Sequence, residues 1–334
     1  CFGMPATSCL LLLASPVLAG SFSLTFETSG SGPYNVVGGK YADSALDKSD
    51  SHVYILYPEG AEGQVFPLIS YAHGFDDTGG DRYYSKLGPD IASWGYVVAF
   101  PASCAYGCFE DCKSEEGDPR CYGNYYQQQL LTIEWALAQT ALPINVTAGV
   151  GIAGHSMGGQ ATLFSSSNMS AVRLHNIKAA VMHHPYTHRF PPSQVPFIVF
   201  TGTDDFTAYP SWAAQVFNTT GACTTRGLVN KRGANHHEPS TDYNPKLGLY
   251  TVAWFKLYLD VMPSSMGMDF EALIYGSGNT SLCGGGDGAM EECSVLRSGS
   301  QSLSASEQAV SVETNESMYE GGLQVAARLS VTQG

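Results

Sequence analysis

A serine hydroxyl is a poor nucleophile until a neighbouring imidazole takes its proton, and that imidazole needs a carboxylate to hold its tautomer and balance its charge. The chain carries a serine in a setting suited to this: a strand-type run from 150 stops at Gly154-His155-Ser156-Met157-Gly158-Gly159, and a segment able to be helical follows at 160–164. A serine on such a strand–turn–helix elbow has a strained backbone and stands clear of the sheet only if the residues two positions to either side lack bulk; Gly154 and Gly158 meet that need. Downstream, Asp204-Asp205 follows an apolar run at 197–200, and His236-His237 follows a further possible strand at 227–230. The catalytic candidates are therefore Ser156 as nucleophile, His236 (rather than His237) as base, and Asp205 as its orienting carboxylate, with Asp204 a solvated loop residue or helix cap. Backbone N–H groups of Met157 and Phe75 are the candidates for an oxyanion hole, and His73 is read as structural. Chemistry of this kind requires no cofactor and no metal.

Those residues need elements to hold them. Strands are expected at 23–28, 52–57, 66–71, 96–100, 150–154, 177–182 and 197–200, and helices at 83–94, from about 130 to before Pro143, and at 247–261, where Trp254, Phe255, Leu257 and Tyr258 fill a broad apolar face. Near-continuous apolar strands alternating with helices predict an α/β class with a mostly parallel sheet covered on both faces. In such sheets, sites gather beyond the carboxyl ends of the strands, which is where Ser156, Asp205 and His236 all fall. The order serine, aspartate, histidine is that of an α/β-hydrolase fold.

Composition bounds the alternatives. The 334 residues are 44% hydrophobic, ample for a core, and the formal net charge of −14 excludes a nucleic-acid-binding surface, which needs clustered Lys and Arg. Residues 1–20 read as a secretion signal whose apolar stretch is too short to span a bilayer, residues 21–295 as the catalytic domain, and 296–334 as a disordered tail rich in Ser, Glu, Gln and Gly. A secreted, extracellular monomer with no transmembrane span is expected. Cysteine usage agrees with an oxidising compartment: Cys283 and Cys293 close a short Gly-rich loop and are expected to pair, while Cys104, Cys108, Cys112 and Cys121 crowd an acidic insertion at 102–123 and could form two bridges. With Cys1 and Cys9 inside the expected signal segment, that leaves Cys223 over. The insertion's spacing is not the paired arrangement of zinc modules, and sequons at Asn145, Asn168, Asn218, Asn279 and Asn315 suit a secreted glycoprotein.

One further cluster, His183, His184 and His188, invites a metal reading, but Pro185 breaks the helix that would align His184 with His188. Tyr186 follows a strand end, where it either walls a substrate pocket or packs as a loop aromatic.

Taken together, Gly154-His155-Ser156-Met157-Gly158, Asp205, His236 and Tyr250-Thr251-Val252-Ala253-Trp254-Phe255-Lys256-Leu257 resemble the bacterial cutinase and poly(ethylene terephthalate) hydrolase family over residues 34–293. The resemblance implies a serine carboxylic-ester hydrolase working through an acyl-enzyme, with polyester-like substrates. It also implies that Phe75 and the pair Pro185-Tyr186 flank the substrate, where the family carries an aromatic residue and a Pro-Trp pair. Tyrosine in place of tryptophan and the cysteine-rich insertion are departures. A second set, His73-Gly74-Phe75, Tyr84-Ser85-Lys86-Leu87 and Ile91-Ala92-Ser93-Trp94-Gly95-Tyr96-Val97-Val98, is similar to chlorophyllases, which usually carry Arg where Met157 stands, and implies a chlorophyll-type or lipid ester instead. A non-catalytic binding protein on the same fold is the alternative from outside the enzymes.

Overall fold

The apolar runs pair, in the computed structural model of the chain, into one sheet of nine described strands. The structure describes residues 32–42, 52–60, 63–75, 80, 82–102, 125–260, 268–285 and 290–299. In chain order the strands are β1 (Val36–Ala42), β2 (His52–Pro58), β3 (Leu68–Ala72), β4 (Val97–Pro101), β5 (Val150–His155), β6 (Ile177–His183), β7 (Phe197–Gly202), β8 (Arg226–Lys231) and β9 (Met290–Leu296). The helices are α1 (Leu87–Ser93), α2 (Tyr125–Ala138), α3 (Met157–Ser167), α4 (Met169–Leu174), α5 (Pro210–Thr219), α6 (Pro245–Tyr258) and α7 (Phe270–Tyr275). Strand order is β1-β2-β4-β3-β5-β6-β7-β8-β9. The six strands from β4 through β8 run parallel, and antiparallel β1, β2 and β9 close the two edges. This is the mostly parallel α/β-hydrolase sheet that the alternation of elements predicts.

Successive strand residues point to opposite faces, and the sheet divides its core accordingly. Tyr54, Leu56, Ile69, Tyr71, Val98, Phe100, Val181 and Phe200 pack under α1, α6 and α7. Their alternates Val53, Ile55, Leu68, Val97, Ala99, Ile152, Met182 and Val199 pack under residues of α2, α3 and α5. With both faces covered, β3, β4, β5 and β7 are buried at every position, which is why their sequences show no polar alternation. One polar side chain crosses this interior: Gln129 of α2 donates to the carbonyls of Ser70 (3.3 Å) and Ala153 (3.0 Å) and to Thr162 Oγ1 (3.0 Å), and accepts from Ser165 Oγ (2.8 Å).

Several boundaries differ from the sequence expectation for reasons of backbone chemistry. The helix expected at 83–94 is confined to Leu87–Ser93. Pro89 has no N–H to donate, so it fits the first turn of a helix but not its interior. The strand expected at 66–71 is β3 at Leu68–Ala72; Pro67 interrupts the ladder, and Phe66 makes only an isolated parallel bridge to Ile144. The last long helix starts at Pro245, behind the Asn244 cap, and ends at Tyr258 rather than 261. Cys283 and Cys293 are disulfide-bonded and join the α7–β9 loop to the edge strand, as expected, while Cys223 is free and exposed. The expected signal segment, the strand at 23–28, the four cysteines of the insertion and the tail from 300 lie outside the described residues. No described helix is long and apolar enough to cross a membrane.

Candidate active site

Five loops at the carboxyl ends of the parallel strands converge here. Ser156 follows β5 directly, His184 follows β6, Asp205 lies three residues beyond β7, His236 five beyond β8, and Phe75 three beyond β3. The elbow is built as its glycines require. Ser156 has φ 55° and ψ −118°, a strained setting for a residue with a side chain. A methyl group on Gly154 would collide with the carbonyl of Gly158, and one on Gly158 with the carbonyl of Ala72. The tight entry into α3 thus depends on bare backbone where β3, β5 and the helix meet. Two further bonds pin the elbow: Ser156 N–H donates to His183 O (3.0 Å), and Tyr186 N–H donates to Ser156 O (2.9 Å).

From this perch the Ser156 hydroxyl donates to His236 Nε2 at 2.9 Å, and His236 Nδ1–H donates to Asp205 Oδ2 at 2.9 Å. Asp205 Oδ1 accepts from the backbone N–H groups of Thr207 (2.9 Å) and Ala208 (2.7 Å). All three residues are buried; His236 is 8% exposed, Ser156 5% and Asp205 1%. Asp204 instead takes the hydroxyl of Thr203 (3.0 Å) at the surface. The neighbouring His237 has its backbone N–H on Asn235 and lies outside the hydrogen-bonded line. Met157 is the first residue of α3, where the backbone N–H has no intrahelical acceptor, and Phe75 and Tyr186 pack half-buried around it.

The electrostatics follow from burial and neighbours. Burial pushes His236 down, and the nearby imidazoles of His155 and His184 add to this; the Asp205 hydrogen bond and charge oppose it, leaving a pKa of about 4. Burial by itself would raise the Asp205 carboxyl, but hydrogen bonds and charge from His184 and His236 hold it well below the usual carboxylate range.

Further histidines flank this line. His155 Nδ1 accepts from Tyr84 OH (3.0 Å), and its Nε2–H donates to the backbone carbonyl of His236 (2.8 Å). Since Tyr84 OH also accepts from Gly74 N–H (2.8 Å), one buried chain ties the loop carrying Phe75 to the loop carrying His236. His73 is structural in placement: its ring hydrogen-bonds the Gly74 carbonyl (2.6 Å), and its backbone N–H the Tyr125 hydroxyl (3.0 Å).

The cluster once suited to a metal is taken apart by the fold. His183 turns to Tyr71 OH (3.0 Å) and Thr251 Oγ1 (2.9 Å), and His188 lies exposed against Trp212 with ring centroids 4.3 Å apart. His184 goes to Asp205, its Nδ1 2.8 Å from the same Oδ2 that His236 uses. The donor atoms of His184, Asp205 and His236 lie within 4.8 Å of one another, as a metal site requires. Yet both Nδ1 atoms sit at N–H donor distance from one carboxylate oxygen, an arrangement of hydrogen bonds rather than of lone pairs aimed at a common ion. Sequence reasoning missed His184 as a partner of Asp205; the one local hint was a histidine directly after a buried strand.

An exposed aromatic group borders the site. Tyr186 meets Trp212 edge-on at 5.3 Å, Trp212 meets Tyr209 at 5.4 Å, and Phe206, next to Asp205, is 78% exposed.

Comparison with known proteins agrees with this architecture. Residues 30–263 match the PETase family model, described as PET hydrolase-like. The chain is 26% identical over 234 residues to a bis(hydroxyethyl) terephthalate hydrolase of Streptomyces coelicolor, covering 69% of this chain and 68% of that protein. It is likewise 26% identical to two cutinases of Thermobifida alba, est2 (62% of this chain, 63% of the relative) and est1 (62% and 64%). The chain therefore spans about two thirds of the length of the curated relatives it matches. With its family model covering most of the chain and the sheet of that fold, it belongs to the PET hydrolase-like family of α/β-hydrolases, a family of carboxylic ester hydrolases.

Proposed function

We propose that this chain is a secreted serine esterase of the cutinase and polyesterase kind, in which Ser156, His236 and Asp205 form the catalytic triad. The observation that carries the reading is the unbroken hydrogen-bonded line from Ser156 Oγ through His236 to Asp205. Ser156 Oγ attacks the ester carbonyl carbon while its proton passes to His236 Nε2, and the N–H groups of Met157 and Phe75 receive the charge that develops on the carbonyl oxygen. Collapse of the tetrahedral species breaks the carbon–alkoxy bond, and the departing alcohol takes the proton from His236. Water then gives a proton to His236 and attacks the acyl-enzyme, and the acid leaves as Ser156 recovers its proton. Asp205 keeps the Nδ1–H tautomer throughout.

Phe75 and Tyr186, half-buried beside Met157, are the proposed walls of the acyl pocket. The aromatic group of Phe206, Tyr209 and Trp212 extends that wall outward and favours an ester carrying an apolar or aromatic acyl group. The Cys283–Cys293 bond supports an oxidising, extracellular setting. Ser156→Ala is expected to abolish turnover of a short p-nitrophenyl ester while circular dichroism stays that of the parent. Undiminished turnover in the folded variant would falsify the nucleophile assignment.

A further inference from the structure

His184 is completely buried, and each of its ring nitrogens faces a carboxylate: Nδ1 lies 2.8 Å from Asp205 Oδ2, and Nε2 lies 3.4 Å from Glu238 Oε2. A neutral imidazole has one N–H, so one of these contacts would set a lone pair against a carboxylate oxygen; an imidazolium satisfies both. The backbone holds the ring in this place at some strain, with φ 46° at a non-glycine residue and the His184 N–H bonded to Phe200 O at 2.7 Å. Glu238 is itself anchored, its Oε1 accepting from Lys231 Nζ (2.9 Å) and Asn244 Nδ2 (2.8 Å).

We infer that His184 is a positioning residue of this site: clamped as a cation between Asp205 and Glu238, it locks the Asp205 carboxylate and sets the pH at which His236 becomes available as a base. The inference rests on the triad reading above. Its geometry is that of a saturated carboxylate, since Asp205 Oδ2 receives N–H groups from His184 and His236 while Oδ1 receives those of Thr207 and Ala208. With four donors the carboxylate has no freedom to rotate away from His236.

Its electrostatics are those of a balanced cluster. The carboxylates of Asp205 and Glu238 are offset by the cations of His184 and Lys231, so His236 works beside a group of no net charge. Were His184 neutral, His236 would face an excess negative charge and hold its proton to higher pH. The other titratable groups facing His184 are His155, with ring centroids 6.5 Å away, His183, its chain neighbour, and His236 at 6.0 Å. Burial drives His183 well below the ordinary imidazole range, with His155 and His184 adding to the effect. Burial also opposes protonation of His184, but the hydrogen bonds and charges of Asp205 and Glu238 outweigh it and raise its pKa.

The test is a nitrogen-15 histidine spectrum of the intact protein together with pH profiles. At pH 7.5 the wild type is expected to show His184 with both ring nitrogens protonated, and Glu238→Gln to make that ring discharge at lower pH than in the parent. His184→Asn, whose amide still donates to Asp205 but carries no charge, is expected to move the acid limb of kcat/KM upward by roughly one to two pH units, the effect of a unit charge at this separation. A wild-type His184 with one bare ring nitrogen at pH 7.5 overturns the inference, as does an unmoved acid limb in a folded His184→Asn variant. Full activity in Ser156→Ala would instead sink the triad while leaving the spectral result intact.

Discussion

His236 is surrounded by other imidazoles: the rings of His155, His237 and His184 lie at 4.9, 5.8 and 6.0 Å. A histidine near its ordinary pKa gives esterase activity that climbs between about pH 6 and 7.5. Burial first, and the imidazoles of His155 and His184 after it, move that rise to about pH 4. Because the working form is neutral, kcat/KM is expected to be flat from about pH 5.5 to 8 and to fall only as the pH drops through about 4. A stopped-time assay on a pH-independent ester checks this, and half-maximal activity near pH 6.5 would contradict it.

At the scale of elements, the site depends on α2, α3 and the strand ends keeping their places. Gln129 is the buried polar pin between α2, β3, β5 and α3. Gln129→Ala is expected to lower unfolding stability by about 1–3 kcal/mol, the cost of leaving buried partners unsatisfied, as read by denaturant melts. Trp212 lies on α5, away from the triad but in edge contact with Tyr186 and Tyr209. Trp212→Ala is expected to raise KM for an aromatic ester several-fold while leaving kcat on a short aliphatic ester within about twofold; equal effects on both esters would deny it a substrate-facing role.

Legibility differed between elements for the same physical reasons. The elbow could be read because its requirement is local: glycines around a serine between a strand and a helix. The buried strands stood out as continuous apolar runs. β1 and β9 did not, since one contains two glycines and the other, Met290–Leu296, is half exposed on an edge and carries two glutamates. α5 opens on Pro210 after an aromatic loop, a start easily taken for a turn. His184 was opaque because its partners lie 21 and 54 residues away and its ring is aimed by an uncommon backbone angle.

Across the whole molecule, two buried histidines act on stability in opposite senses. His236 has a folded pKa of about 4 against the ordinary 6.5, so the unfolded chain binds the extra proton between those values and stability falls as pH drops through that window, by about 3 kcal/mol at most. His184 has a raised folded pKa, so its contribution is fully present below 6.5 and is lost as pH rises through the folded value. The melting temperature is therefore expected to peak near pH 6.5, and His184→Asn to flatten the alkaline side of the curve and, because it lets the His236 pKa rise, to make the acid side shallower as well. Differential scanning across pH 4 to 9 checks both limbs.

The most direct measurement of the catalytic assignment is covalent. A fluorophosphonate incubated with the folded protein at pH 7.5, followed by peptide mass spectrometry, is expected to leave one adduct, on Ser156, and none in Ser156→Ala. A folded wild type that stays unlabelled, or carries its adduct on another residue, would contradict a nucleophile at the β5–α3 elbow.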